Sequence, residues 1–139
     1  HVEKLVVRIA DKQLEVVNQR EMPDITLQHL LAVMLLDGNL TFKTAHDFAR
    51  MRDPRVLRLR RQHIDAVGDA SLTDFPLRRW RCAMEVTLKD GRKLSHQTMS
   101  AKGGLGNPLT REEVSEKALD LMAPVLGKKR SQSLISALL

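Results

Sequence analysis

The side chains on which chemistry could rest in this 139-residue chain are five histidines, one cysteine and an arginine cluster between positions 50 and 61. His29 stands apart from the other histidines. With Gln28 it interrupts the most apolar run of the sequence, Asp24 to Gly38, in what reads as the first turn of a buried helix. At a helix N-terminus the backbone dipole disfavours an imidazolium, and the free N–H groups attract anions. A neutral imidazole beside a bound carboxylate is suited to proton transfer or to hydrogen bonding. The plain alternative is an interior histidine that only bonds its neighbours.

The remaining candidates carry less. The loop Lys102-Gly103-Gly104-Leu105-Gly106-Asn107 lacks GxxxxGK[ST] and falls short of GxGxxG. It reads as a flexible loop that borders a cleft. Arg50, Arg52, Arg55, Arg58, Arg60 and Arg61 could meet nucleic acid, or form a solvated face paired in part with Asp47 and Asp53. No nucleic-acid motif accompanies them. His46 and His63 are too far apart for a local ligand pair and no HExxH occurs. His1, His46, His63 and His96 read as structural or surface residues. Cys82 alternates into a strand's core face and reads as a packed thiol. No Ser-His-Asp set follows from the spacing.

Composition sets the frame for these residues. A formal net charge of +6 favours anionic partners through steering. Aromatic residues make up 3% of the chain, too few for base-stacking platforms. One cysteine excludes an intrachain disulfide and is compatible with a reducing, cytoplasmic location. The longest apolar run falls short of the ~20 residues that cross a bilayer, and no signal-like segment opens the chain, so no membrane association is expected. The length suits one domain with a real core. A start at His1, directly in a strand pattern, suggests a piece of a longer protein.

Elements that position the candidates follow in order. Val2 to Ile9 reads as a strand with Leu5, Val7 and Ile9 on one face. Ala10 to Met22 reads as an irregular connection closed by Pro23. The Asp24–Gly38 helix presents Leu27, Leu30, Leu31, Met34 and Leu35 as one stripe and is apolar nearly all round, the pattern of a helix buried between layers. A helix from Phe42 to about Arg52 is expected to turn Phe42, Ala45, Phe48 and Ala49 inward. Pro54 opens a short helix through Leu59. Gln62 to Val67 reads as a strand, and Gly68 to Leu77 as a loop. Trp80 to Leu88 and Lys93 to Ser100 form a hairpin around Asp90-Gly91. Thr110 and Glu113 form a capping box for a helix reaching about Leu121 or Val125, with Val114, Ala118, Leu121 and Met122 inward and Gly127 as its stop. Ser131 to Leu138 is a last short helix. The fold class is α+β: a small, mostly antiparallel sheet covered by helices on one face.

The ordered set resembles a known family. Leu27 to Gly38 (LQHLLAVMLLDG) resembles the "QYxxAxxLLDG" segment of the MmgE/PrpD family, which includes 2-methylcitrate dehydratases, cis-aconitate decarboxylases and iminodisuccinate epimerases. The resemblance continues through Thr41 to Asp47 (TFKTAHD), Met51 to Val56 (MRDPRV), Val86 to Arg92 (VTLKDGR), Gly106 to Thr110 and Lys117. It is to the smaller, C-terminal α+β domain. The resemblance implies a preceding helical domain, an active site in the cleft between the two, a small di- or tricarboxylate substrate, and a homodimer. The implied chemistry is proton abstraction beside a carboxylate, then loss of water or CO2 or reprotonation, without metal or iron–sulfur cofactor.

It also implies site residues. His29 falls where the family commonly has a cleft-facing tyrosine, and Gln28 matches the residue before it. His46 matches a recurrent family histidine read here as structural. Lys102, on the glycine-rich loop, is a conjectured partner for a substrate carboxylate. The expectation is therefore a lyase or isomerase domain, inactive alone, with His29 catalytic and Gln28 and Lys102 substrate-binding. The alternatives are a basic anion- or nucleic-acid-binding module, and a silent structural or dimerisation domain.

Overall fold

The computed structural model describes residues 1–74 and 79–139, which divide into two compact units, His1–Ala101 and Lys102–Leu139. The first holds a four-stranded sheet of order β2-β1-β3-β4: β1 (Val2–Ile9), β2 (Ile64–Gly68), β3 (Cys82–Leu88) and β4 (Lys93–Thr98). β1 runs parallel to β2 and antiparallel to β3, and β3 is antiparallel to β4. The class is α+β with a mostly antiparallel sheet. A parallel pair needs a long crossover, and here the β1–β2 connection carries the helices that position the site. The β3–β4 hairpin turns where expected, with Gly91 in the left-handed region at φ 84°.

Leu5, Val7 and Ile9 alternate on one face of β1 and are buried with Ala32, Val33, Val56 and Ile64. In register, Val7 lies between Ala66 and Met84. Cys82 packs half-buried against this core. Trp80, expected to open the strand, lies outside β3 with φ 50° and is exposed.

The segment expected to be irregular forms a helix instead, α1 (Asp11–Val17). Leu14 and Val17, three residues apart, pack on the core while Val16 faces out. Two anchors suffice because the sheet supplies the rest of the surface. No side chain caps the N-terminus of α1, so the usual start signal was missing from the sequence.

α2 (Leu27–Asp37) ends on Gly38, whose φ of 71° suits a left-handed cap. Its orientation departs from the expected one. The buried residues are Gln28, His29, Ala32 and Val33, one position round from the expected stripe, while Met34, Leu35 and Leu36 are exposed. One residue is roughly 100° of rotation. Ala32 and Val33 present a small surface, and α2 packs with that side toward β2 and α4 (Pro54–Arg58). The helix is therefore not buried on all sides in this unit.

The helix expected over 42–52 breaks in two. α3 (Phe42–Ala45) holds one turn, opened by a Thr41–Thr44 capping box. Asp47 Oδ1 then accepts from the backbone N–H groups of Ala49 at 2.8 Å and Arg50 at 3.4 Å. That side chain restarts the chain as a separate 3-10 turn, Arg50–Arg52. Phe42 and Phe48, expected inward, are 56% and 58% exposed. Asp53 caps α4 through Arg55 N–H, with Pro54 in the first turn. A wide turn, Leu59–His63, delays β2 to Ile64. In the expected loop Asp69 caps a 3-10 turn, Ala70–Leu72, that buries Leu72. Pro76 and Leu77, at the end of that loop, lie outside the described residues.

The second unit opens with the glycine-rich loop, closed by Gly103 N–H to the Asn107 carbonyl (2.7 Å) and Asn107 N–H to the Gly104 carbonyl (3.0 Å). α5 (Arg111–Leu126) starts on the expected Thr110–Glu113 capping box and runs past Pro124 to Gly127. Val114, Ala118 and Met122 are half-buried, but Leu121 is exposed. α6 (Lys128–Leu138) begins three residues before the expected Ser131, whose buried hydroxyl donates to the Gly127 carbonyl at 2.9 Å.

This packing separates two leucine-like side chains that the sequence treats alike. Leu5→Ala in the 139-residue chain is expected to lose roughly 2–5 kcal/mol of unfolding free energy. Met34→Ala is expected to stay within about 0.5 kcal/mol. Urea denaturation of both variants checks this; an equal loss would return Met34 to the core.

Candidate functional site

The polar end of α2 is, among the described residues of the first unit, the one place where a titratable side chain is wholly enclosed. His29 is 0% exposed, and among the described residues neither Nδ1 nor Nε2 has a hydrogen-bond partner. Its backbone N–H donates to the Thr26 carbonyl at 3.1 Å, which fixes the residue in the first helical turn. Burial is the main cause that lowers its pKa from the ordinary 6.5; the charges of Arg60 and Arg50 lower it further and Asp47 opposes them. The ring is held neutral. A neutral imidazole carries one donor and one acceptor nitrogen, so the residue can both donate and accept a hydrogen bond and can take up a proton at the acceptor nitrogen.

Gln28 is buried beside it, and its amide is partnered. Its Oε1 accepts from Gln19 N–H at 3.2 Å, and its Nε2 donates to Asn18 Oδ1 at 2.6 Å. These bonds tie α2 to the chain leaving α1. Thr26, also buried, does not cap the helix through its hydroxyl. It donates instead to the carbonyls of Arg20 and Met22, at 2.5 and 2.9 Å. Buried hydroxyl and amide groups need such partners because each loses water on folding.

Lys102 belongs to the second unit. Its Nζ lies 2.9 Å from Glu113 Oε2, and the same carboxylate oxygen accepts from Thr110 N–H at 2.8 Å. Glu113 thus serves both the capping box and the lysine, and those contacts lower its pKa, the Thr110 backbone bond first. Both charged side chains are solvent-accessible, so the pair adds little stability, and the ammonium keeps hydrogen-bonding capacity for a further anion.

The arginine cluster is partly neutralised. Arg50 Nη2 donates to both carboxylate oxygens of Asp37 (2.6 and 2.7 Å) and its Nη1 pairs with Asp53 (2.8 Å), while its Nε is buried without a partner among the described residues. Arg55 pairs with Asp53. Arg60 bonds Gln19 and the Arg20 carbonyl. The other histidines have local duties: His46 Nδ1 donates to the Phe42 carbonyl at 2.7 Å and its Nε2 lies 3.7 Å from Asp24, and His63 Nδ1 donates to the Glu3 carbonyl at 2.6 Å. Among the described residues no group of three or more His, Cys, Asp or Glu is placed to hold a metal ion. Among them, too, no helix is long and apolar enough to cross a membrane.

A separate, largely apolar cavity of about 400 Å3 is lined by residues that include Val16, Val17, Leu72 and Trp80. It contains none of the expected site residues. Asp74 on its lining is already paired with Arg79 and Arg81.

The structure therefore places Gln28 and His29 side by side on the inward face of α2, and surrounds the pair with Asn18, Gln19, Arg50 and Arg60. Sequence spacing did not point to those four. The one available signal was the arginine cluster, which was read as a surface.

Comparison with known proteins adds a relationship to this geometry. The family model described as the MmgE/PrpD C-terminal domain matches residues 1–139. The chain is 27% identical over 143 residues to the cis-aconitate decarboxylase of Mus musculus. That alignment covers 98% of this chain and 28% of the mouse protein, so the chain spans little more than a quarter of the relative's length.

Burial of a neutral His29 has a pH signature. The unfolded chain takes up the proton near 6.5 and the folded chain only at lower pH. Stability is full above 6.5 and falls progressively as pH drops toward the depressed folded value, because the unfolded state binds more protons there. His29→Gln is expected to flatten that part of the profile. Urea midpoints measured across the window check it; an unchanged slope would show that the ring titrates normally.

Proposed function

The chain belongs to the MmgE/PrpD family as its C-terminal domain, and from that membership we propose that the protein is a lyase of the dehydratase or decarboxylase kind. Its substrate is a small di- or tricarboxylate such as 2-methylcitrate or cis-aconitate. The mouse relative is a cis-aconitate decarboxylase, and a family match over the whole chain supports carrying the reaction type across. Epimerisation by the same proton abstraction is the neighbouring possibility within the class.

The observation that carries the role of this domain is the enclosed His29 with both ring nitrogens free. Removing a proton beside a carboxylate needs a base near neutral pH in a site that excludes water. Burial and two arginines keep the imidazole unprotonated and so available as an acceptor, while the same lowering of its pKa makes it a weaker base than an exposed histidine. It can accept the proton at its unprotonated nitrogen, and the imidazolium so formed can return a proton to a departing hydroxyl. Gln28, whose Nε2 retains a second N–H beyond the bond to Asn18, is assigned a hydrogen bond to substrate. Lys102 is assigned a carboxylate contact, exchanging Glu113 for the substrate anion. The remaining acid and base groups are assigned to a preceding helical domain, with the substrate between the two, in a homodimer in the cytoplasm.

Assays with 2-methylcitrate, cis-aconitate and iminodisuccinate on the full-length protein test this reading. His29→Ala is expected to lower kcat by about 10²–10⁴-fold, with folding intact by circular dichroism. Unchanged kinetics would remove His29 from the reaction and leave the domain a scaffold. Lys102→Ala is expected to raise KM with kcat nearly constant. The 139-residue chain alone is expected to show no turnover, and turnover by it would overturn the division of labour between domains.

A further inference from the structure

The turn Asn18–Met22 is held from both sides. On one side α2 grips it: Gln28 bonds Asn18 and Gln19, and Thr26 donates to the carbonyls of Arg20 and Met22. On the other, a single side chain reaches it from far along the chain. Arg60 Nε donates to Gln19 Oε1 at 3.0 Å, and Arg60 Nη2 donates to the Arg20 carbonyl at 3.2 Å, across 41 and 40 residues of sequence. The Arg20 carbonyl is thus a shared acceptor for Thr26 and Arg60.

The turn is also strained. Gln19 has φ 49°, in the left-handed region that a non-glycine residue adopts only when its surroundings require it. Bonds at both faces of Gln19 supply that requirement. The same guanidinium acts on the enclosed ring, since its charge reaches His29 and opposes protonation there. Arg60 is itself partly desolvated and repelled by Arg61, with Glu21 in opposition.

We propose that Arg60 is a positioning residue of the His29 site, fastening the Gln19–Arg20 turn against the first turn of α2 so that the imidazole stays enclosed. The charged groups acting on the ring come from three places: Arg60 on the turn before β2, Arg50 on the 3-10 turn, and Asp47 just before it. Arg60 alone among them also bonds the turn next to Gln28. Calling the place a site rests on the proposed function, but the fastening does not, and it is measured without activity.

The test follows His29 in the full-length protein by two readouts. One is the rate at which diethyl pyrocarbonate modifies it, read on the His29 peptide by mass spectrometry. The other is ring titration by NMR. Arg60→Gln removes two hydrogen bonds from a charged donor and is expected to raise the modification rate by more than about tenfold, and to move the titration up toward 6.5. Arg60→Lys keeps the charge but not the two-pronged grip, and is expected to raise modification while the titration stays low.

Gln19→Gly removes the Nε acceptor and relieves the backbone strain, so it carries the test if Arg60→Gln fails to fold. It too is expected to raise modification. Unchanged modification and titration in folded Arg60→Gln, or unchanged modification in Gln19→Gly, overturns the proposal. A full-length protein that turns over none of the three carboxylates would overturn the proposed function while leaving these readouts in place.

Discussion

Turning Gln28 and His29 inward costs the fold something that an apolar pair would not. Each buried polar group without a partner costs about 1–3 kcal/mol. Gln28 recovers the cost through Asn18 and Gln19. His29 does not recover it among the described residues. The expense is tolerable because the same helix face continues into Ala32 and Val33, which join Leu5, Val7, Ile9, Val56 and Ile64 in one core. The rest of the first unit is arranged to hold that polar end in place. α1 supplies the chain that meets Gln28, the turn before β2 supplies Arg60, and the 3-10 turn supplies Arg50.

That orientation has a second consequence at the far end of α2. Rotating the polar pair inward turns Met34, Leu35 and Leu36 outward. The helix terminus is then secured by polar means. Gly38 takes the left-handed conformation, and both oxygens of Asp37 accept from Nη2 of Arg50, whose Nη1 reaches Asp53 at the cap of α4. Arg50 is only partly exposed and its two carboxylate partners come from separate elements, so it links α2 to α4 more firmly than a surface pair does. It also sits close enough for its charge to act on His29. One side chain therefore couples the packing of the crossover to the protonation state of the ring.

Much of this was readable in the sequence, for reasons specific to each element. β1 showed partial alternation and Trp80 to Leu88 a clear one, and Asp90-Gly91 is a strong local turn signal. The α5 start and the Gly38 and Gly127 stops were local capping chemistry, which sequence records directly. The face of α2 was not readable, because a helix apolar on most sides gives no periodicity from which to choose one. What decided it was the small profile of Ala32 and Val33 against the sheet, a tertiary preference. The helix over 42–52 misled for a related reason. Its apolar spacing was helical, but Asp47 captured two backbone N–H groups and reset the chain. α1 was missed because two anchors and no cap fall below what a pattern can show. His29 and Gln28 were legible as a pair, but the partners around them come from residues 18–19 and 50–60, and that proximity exists only after folding.

Under the proposed function, a histidine where the resemblance places a tyrosine is a change of chemistry as well as of shape. A phenol with an ordinary pKa near 10 stays protonated at neutral pH and offers a hydroxyl proton. An imidazole in the same place titrates near 6.5 when exposed, and would be mixed in charge under ordinary conditions. Burial, Arg60 and Arg50 all act to remove that ambiguity by suppressing the cation. What remains is a ring with a free acceptor nitrogen, which a phenol does not provide, and with a donor nitrogen opposite it. The surrounding arginines thus make the substitution coherent. They suppress the cation of a ring that would otherwise be mixed in charge near its ordinary 6.5.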